Sequence, residues 1–326
     1  MSTRENDSEP HRAIRAGRTS DTALRGALCM LVAALAFAVV NAIIKHLLES
    51  LPVVQVMVWR TSGAFLICWL AVALIQGRAF PPARRLGWHL TRGVLGVAAL
   101  GLLFISFRFV PLGEATALYF ASPVFVALLS PLILGERVAA ASWIAIGAGF
   151  LGMLLIIRPS PAGFNVAALL PAGASVLLAL SLLSSRLLSR TESTLAISFY
   201  FSAFSALAVL PAAPFSWAPM AGNELWLLIA ASVLGGFAIV LMTEAYRLAR
   251  AALVAPLDYA GVALSVAIGV LWFGEEPGLV TAIGIGLIAL GGTLILRSSA
   301  THRKQAAIAP PDASGPVPGP YRSDDL

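Results

Sequence analysis

Arg60 is the residue best placed to do chemistry in this 326-residue chain. It is a fixed positive charge about eight residues inside an apolar stretch, or roughly 12 Å along a helix at 1.5 Å per residue. A charge at that depth costs on the order of 2.5–3.5 kcal/mol on insertion scales, so such residues face a cavity or a partner. Two roles are open to it: orienting an anionic or electron-rich solute, or bonding the carbonyls of a broken helix. Asp258 comes second, between Pro256 and Tyr259. A proline there removes a backbone donor and kinks the helix, exposing carbonyls that can line a cavity. An Asp at such a break can bind a cation, carry a coupling proton, pair with Arg60, or cap the kinked turn. Glu244 stands three residues before Arg247, a helical spacing that lets them pair. It is read as an interfacial ion pair, with coupling as the alternative. Pro123 and Pro256 are the candidate hinges. Asn41, Trp59, Tyr119, Phe120, Ser122, Tyr200 and Tyr259 fall at comparable depth. Singly, each serves as packing; together, aromatic rings with polar tips suit a flat or amphipathic ligand.

Other chemistries lack their residues. The four histidines, His11, His46, His89 and His302, are scattered over tails and loops, and Cys29 and Cys68 have no spacing partner. No metal site, disulfide or cofactor is expected. No acidic pair stands at helical spacing within an apolar stretch, and there is no Walker motif. A membrane-embedded enzyme therefore ranks below a carrier, and nothing resembles the selectivity filter of a channel.

The elements that hold these residues follow from composition. Apolar residues make up 59% of the chain and charged residues 12%, against roughly 45–50% and 25% in soluble proteins. Mean hydropathy is +0.87. That excludes a soluble enzyme and a disordered chain, and it predicts an all-α integral membrane protein. Ten stretches are long and apolar enough to cross a bilayer: 26–44, 53–76, 88–107, 112–134, 139–157, 166–185, 194–213, 225–245, 251–273 and 278–296. Residues 1–22 and 299–326 are polar and read as disordered tails. The first apolar stretch lacks a small-residue cleavage site and reads as a span, not a signal peptide.

The net charge of +6 is topological rather than a nucleic-acid footprint. With the N-terminus inside, eighteen of the 22 basic residues fall in inside segments, and only Lys45, Arg108 and Arg158 fall outside. Arg60 is left over. This split predicts ten crossings with both termini cytoplasmic.

Shifting the chain by 139 residues aligns 94–158 with 233–297 without a gap, and 19 of the 65 positions are identical. The informative matches are Gly96/Gly235, Arg108/Arg247, Gly135/Gly274, Glu136/Glu275, Gly147/Gly286, Gly152/Gly291 and Arg158/Arg297. Five helices per unit is an odd number, so the second copy enters from the opposite side. Inverted repeats of this kind characterise secondary transporters, whose substrate site lies near the midplane between the halves. Glu136 and Glu275 are expected to anchor loops by capping the next helix N-terminus. The glycines of the fifth and tenth stretches are expected to allow close packing, with a homodimer face as a second use.

Several motifs carry a family resemblance: Val58-Trp59-Arg60, the run Pro111-Leu-Gly-Glu-Ala-Thr-Ala-Leu118, Ser122-Pro123, Leu-Gly135-Glu-Arg, and Tyr246-Arg-Leu-Ala through Val254-Ala-Pro-Leu-Asp-Tyr259 to Phe273-Gly-Glu-Glu-Pro277. Together they resemble the EamA branch of the drug/metabolite transporter superfamily over about 22–298. The resemblance implies two five-helix units, 23–158 and 159–298, and transport of a small metabolite across the inner membrane. Phe37, Asn41 to Lys45, and Pro52-Val-Val-Gln55 look closest to members proposed to take up riboflavin or S-adenosylmethionine, a subgroup that often has Asp at the position of Asn41. The expected partners are a small-molecule solute and the lipid bilayer, with no nucleic acid.

Overall fold

The computed structural model describes residues 9–135, 140–157, 166–248, 257 and 259–308, and among them every regular element is helical. The helices are α1 (Glu9–Leu47), α2 (Val53–Gln76), α3 (Leu86–Ser106), α4 (Leu112–Tyr119), α5 (Ser122–Leu134), α6 (Ala140–Ile157), α7 (Leu169–Leu188), α8 (Thr194–Val209), α9 (Gly222–Leu248), α10 (Ala260–Phe273) and α11 (Leu279–Ile308). Among the described residues, seven segments are long and apolar enough to cross a membrane. Shorter apolar helices, Ile146–Ile157, Ala260–Phe273 and Leu279–Gly291, fall in the three remaining stretches.

Local chemistry sets the ends. Ser193 caps α8 by accepting from the Ala196 amide at 3.2 Å. Gly77, Gly135 and Gly274 end α2, α5 and α10 with φ between 63° and 68°, a left-handed turn that side chains disfavour. The fourth span is broken. α4 closes at Tyr119, Phe120 and Ala121 form a tight turn, and α5 restarts at Ser122 with Pro123 in its first turn. A proline is harmless there because the first-turn amide has no helical partner.

The helices interleave the two parts of the chain rather than stacking them side by side. α1 packs on α9 as α3 packs on α7, α2 packs on α9 as α8 packs on α3, and α1 meets α10 as α7 meets α5. The core follows this pattern. Ile44, Val56, Leu103 and Leu112 share one buried cluster with Ala174, Val209 and Leu228. Leu74, Leu132, Phe215, Leu271 and Leu279 are more than three-quarters exposed. They form part of an apolar outer surface. Trp88, Trp217, Trp226 and Trp272 are exposed near helix ends, where interfacial aromatics belong.

α6 and α11 form a pair at glycine distance. A methyl on Gly152 would fall 2.6 Å from the Gly284 carbonyl oxygen, and one on Gly284 would fall 2.8 Å from the Gly152 oxygen. Neither backbone can yield. Gly152→Leu is expected to lower the thermal unfolding midpoint through about 1–3 kcal/mol of overpacking. Gly147→Leu, which meets open space, should leave the midpoint in place.

Candidate functional site

Arg60 is buried against α9, on the other half of the chain. Its guanidinium occupies a notch made by Gly235, where a methyl would lie 2.5 Å from a guanidinium nitrogen. The backbone beside it is fixed by Ser232, whose hydroxyl donates to the Trp59 carbonyl at 2.8 Å and to the Leu228 carbonyl at 2.7 Å. Tyr119 and Cys68 are the electrostatic neighbours of Arg60. Among the described residues no carboxylate lies within ion-pair distance of it. Trp59 is half-buried beside it, and its indole nitrogen is enclosed without a hydrogen-bond partner among the described residues.

Tyr119 leads from Arg60 to the break in the fourth span. Its ring meets Phe120 edge-on at 6.0 Å, Phe120 lies 6.3 Å from the Tyr259 ring, and the Tyr259 hydroxyl donates to the Phe120 carbonyl at 3.4 Å. Tyr259 immediately precedes α10, so this contact joins the broken fourth span to the start of that helix. Ser122 is buried at the first turn of α5, next to Pro123. Asn41 is half-buried on α1, and Glu244 is half-buried on α9 with an interaction of its own. Asp258, Pro256 and Glu136 lie outside the described residues, as does the Arg247 side chain.

Tyr200 sits elsewhere. Its hydroxyl donates to the Pro81 carbonyl at 2.8 Å and its ring lies 4.8 Å from that of His89. The structural counterpart of Arg60 is the neighbouring Phe201, whose ring fills a notch at Gly96. Gly96 and Gly235 are the glycines matched by the 139-residue shift. Arg92 covers the Phe201 ring at 4.4 Å and donates to the Ile197 carbonyl at 2.9 Å. The paired glycines were the sequence signal for both notches, whereas nothing in the pattern pointed to Arg92.

Polar contacts tie the halves at both ends of the bundle. At one end, Gln55, fully buried on α2, donates to the Ala218 carbonyl at 3.1 Å and accepts from its amide at 2.9 Å. Nearby, Glu275 forms an ion pair with Lys45 and accepts from the Leu112 amide at 2.8 and 2.9 Å. Glu275 thus caps a helix, but the helix is α4 rather than the following α11. The left-handed Gly274 turns the chain back so that the Glu275 amide bonds the Gly269 carbonyl at 3.0 Å. Gly269 also leaves the space its carboxylate fills. At the other end, Ser181 donates to the Arg92 carbonyl at 2.9 Å and Ser205 to the Gly93 carbonyl at 3.3 Å.

A model of the EamA-like transporter family matches residues 24–158 and 165–297. A riboflavin transporter of Vibrio cholerae is 33% identical over 83% of this chain and 93% of that protein. A pseudopaline exporter, CntI, of Pseudomonas aeruginosa is 31% identical over 84% of this chain and 96% of that protein. An S-adenosylmethionine uptake transporter of Rickettsia prowazekii is 26% identical over 67% and 76%. One solved crystal structure superposes with a TM-score of 0.57 over 88% of this chain and 99% of that chain, at 21% identity, which is a likeness of fold.

Proposed function

This chain belongs to the EamA-like transporter family of the drug/metabolite transporter superfamily and is a multi-pass inner-membrane protein, and from that premise we propose that it is a secondary carrier for a small organic metabolite. It is read as a carrier rather than an enzyme. Two inverted five-helix repeats, 23–158 and 159–298, give ten crossings with both termini cytoplasmic, and rocking of the halves alternates access to a site between them. The matched helix pairings and the equivalent notches at Gly96 and Gly235 support the repeat.

The observation that carries the site is Arg60, a buried cation seated against the opposite half with no carboxylate beside it among the described residues. It orients an anionic or electron-rich group of the solute. Trp59, Tyr119, Phe120 and Tyr259 supply aromatic faces, with Asn41 and Ser122 as polar contacts. Tyr200 acts from the end of the bundle at Pro81. Asp258 or Glu244 provides the coupling proton or ion, and Pro123 and Pro256 are hinges. A homodimer would use what remains of α6 and α11 once Gly152 and Gly284 are spent on each other, including Gly147 and Gly286.

Uptake of a flat, vitamin-like or nucleoside-like solute is the favoured reading, because the Rickettsia relative is named as an S-adenosylmethionine uptake transporter and the Vibrio relative is named for riboflavin. Export is the second reading, favoured by the pseudopaline exporter. A thermal-shift screen of the detergent-purified chain against riboflavin, S-adenosylmethionine, amino acids and nucleosides tests this, followed by proteoliposome flux of each hit. Stabilisation by riboflavin or S-adenosylmethionine with inward flux is the expected result. If no solute shifts the midpoint and none is transported, the carrier assignment fails.

A further inference from the structure

His89 is fully buried, and neither of its ring nitrogens has a hydrogen-bond partner among the described residues. Leaving buried polar nitrogens unpaired is costly, so a histidine kept this way calls for a use. Its Nε2 lies 4.0 Å from the Glu192 carboxylate, beyond hydrogen-bond reach. The Glu192 side chain is only 3% exposed, and the amides of Arg84 and Arg85 donate to it at 2.6 and 3.2 Å. The carboxylate is therefore held in place, about 1 Å too far away to bond the ring.

We propose that His89 and Glu192 form a proton-binding site that fastens the α7–α8 connection to the start of α3. A proton arriving on the imidazole makes both ring nitrogens donors. Closing the gap to Glu192 then forms a charge-assisted hydrogen bond. Histidine is the side chain whose charge changes near neutral pH when unperturbed. Of the charged groups acting on His89, Glu192 from the α7–α8 connection favours the proton, whereas Arg92 on α3 itself opposes it. From α8, Tyr200 faces the ring at 4.8 Å while bonding the Pro81 carbonyl. Arg84 and Arg85 meet the site through their amides, and their side chains are exposed.

His89 precedes residue 158 and Glu192 follows it, so the bond joins the two halves at the end where α2 passes into α3. This role rests on the carrier reading above, in which that end is cytoplasmic and must open. Protonation would add a further bond to the two that the Arg84 and Arg85 amides already make to Glu192, holding that end shut more firmly, and loss of the proton would remove that addition. The site is distinct from the coupling role given to Asp258 or Glu244.

Full-length chain labelled with ¹⁵N-histidine and carrying H11Q, H46Q and H302Q leaves His89 as its one imidazole, read by NMR in lipid nanodiscs. Titration of His89 between pH 5 and 8 is expected, with Glu192→Gln weakening proton binding about tenfold or more. A His89 signal that stays in one state across that range overturns the proposal without any change at Glu192, as does a titration that Glu192→Gln leaves in place. In proteoliposomes, His89→Gln should keep solute flux but lose its dependence on pH at the α3 end. Unchanged pH dependence of that variant also overturns the proposal. If the wild-type chain moves no solute at all, the carrier reading falls, and the NMR titration still decides the proton site.

Discussion

Arg60→Ala is expected to cut solute flux in proteoliposomes at least about tenfold, equivalent to about 1.4 kcal/mol of lost solute or transition-state binding, while leaving the unfolding midpoint unchanged or higher. Both halves of that expectation come from the same geometry. The guanidinium is a desolvated charge with no carboxylate beside it among the described residues, so its removal relieves a burial cost instead of orphaning a partner. An arginine kept only to bond carbonyls of a broken helix predicts the reverse, a fall in midpoint with flux preserved. Gly235→Ala provides the second leg. A methyl there would stand 2.5 Å from a guanidinium nitrogen, and the flexible side chain must move to admit it. Gly235→Ala should therefore lose flux much as Arg60→Ala does, and the double variant should be no worse than either. Additive losses would mean that the two positions act separately. Flux within twofold of wild type in Arg60→Ala would remove the substrate role altogether.

Glu275→Ala should produce the largest loss of stability, on the order of 3 kcal/mol as for a broken buried ion pair, seen as a lowered thermal midpoint. The carboxylate pairs with Lys45 and accepts from the Leu112 amide, and the two ionised side chains are 12% and 15% exposed. Deleting one member of a buried pair leaves the other charged and unpaired, and here it also strips the N-terminus of α4 of its acceptor. Glu275→Gln keeps an acceptor for the amide but not the charge, so its midpoint should fall between those of alanine and wild type. Glu224, also contacted across the halves through Ser50, is a solvent-exposed comparison. Glu224→Gln is expected to leave the midpoint where it is. Equal midpoints for wild type and Glu275→Ala would show that the contact is not formed in the membrane.

What the residues disclosed depends on whether the signal was local. Hydropathy is local, and each of the seven long apolar helices overlaps one of the stretches it marks, with ends that differ by a few residues. Pro123 reads as a hinge, because a proline reports its own backbone, but hydropathy runs 112–134 together as one continuous span, and the break before Ser122 comes from the structure. The Glu275 cap was foreseen in kind but assigned to the wrong helix. Which amide a carboxylate reaches depends on the left-handed reversal at Gly274 and on the space at Gly269, five and ten residues before the α11 N-terminus at Leu279, where a sequence reader looks for the cap. Tyr200 illustrates a different limit. Its depth along α8 is one residue short of that of Arg60 along α2, and that residue of helical phase turns it toward Pro81 and His89, while Phe201 takes the equivalent notch. His89 was read as a loop histidine because burial by an approaching half leaves no trace in local hydropathy.

The unequal filling of the two notches has an electrical consequence. At Gly96 the occupant is a neutral ring, and at Gly235 it is a cation. If the halves rock as proposed, the shape change is nearly balanced between them, but the charge sits inside the notch as Arg60 on one side and over the filling ring as Arg92 on the other. Moving one elementary charge across the whole membrane is worth roughly 2.3 kcal/mol per 100 mV, and Arg60 would collect whatever fraction of that its travel covers. The resting potential would then bias the two orientations of the carrier unequally, even with a neutral solute in the site.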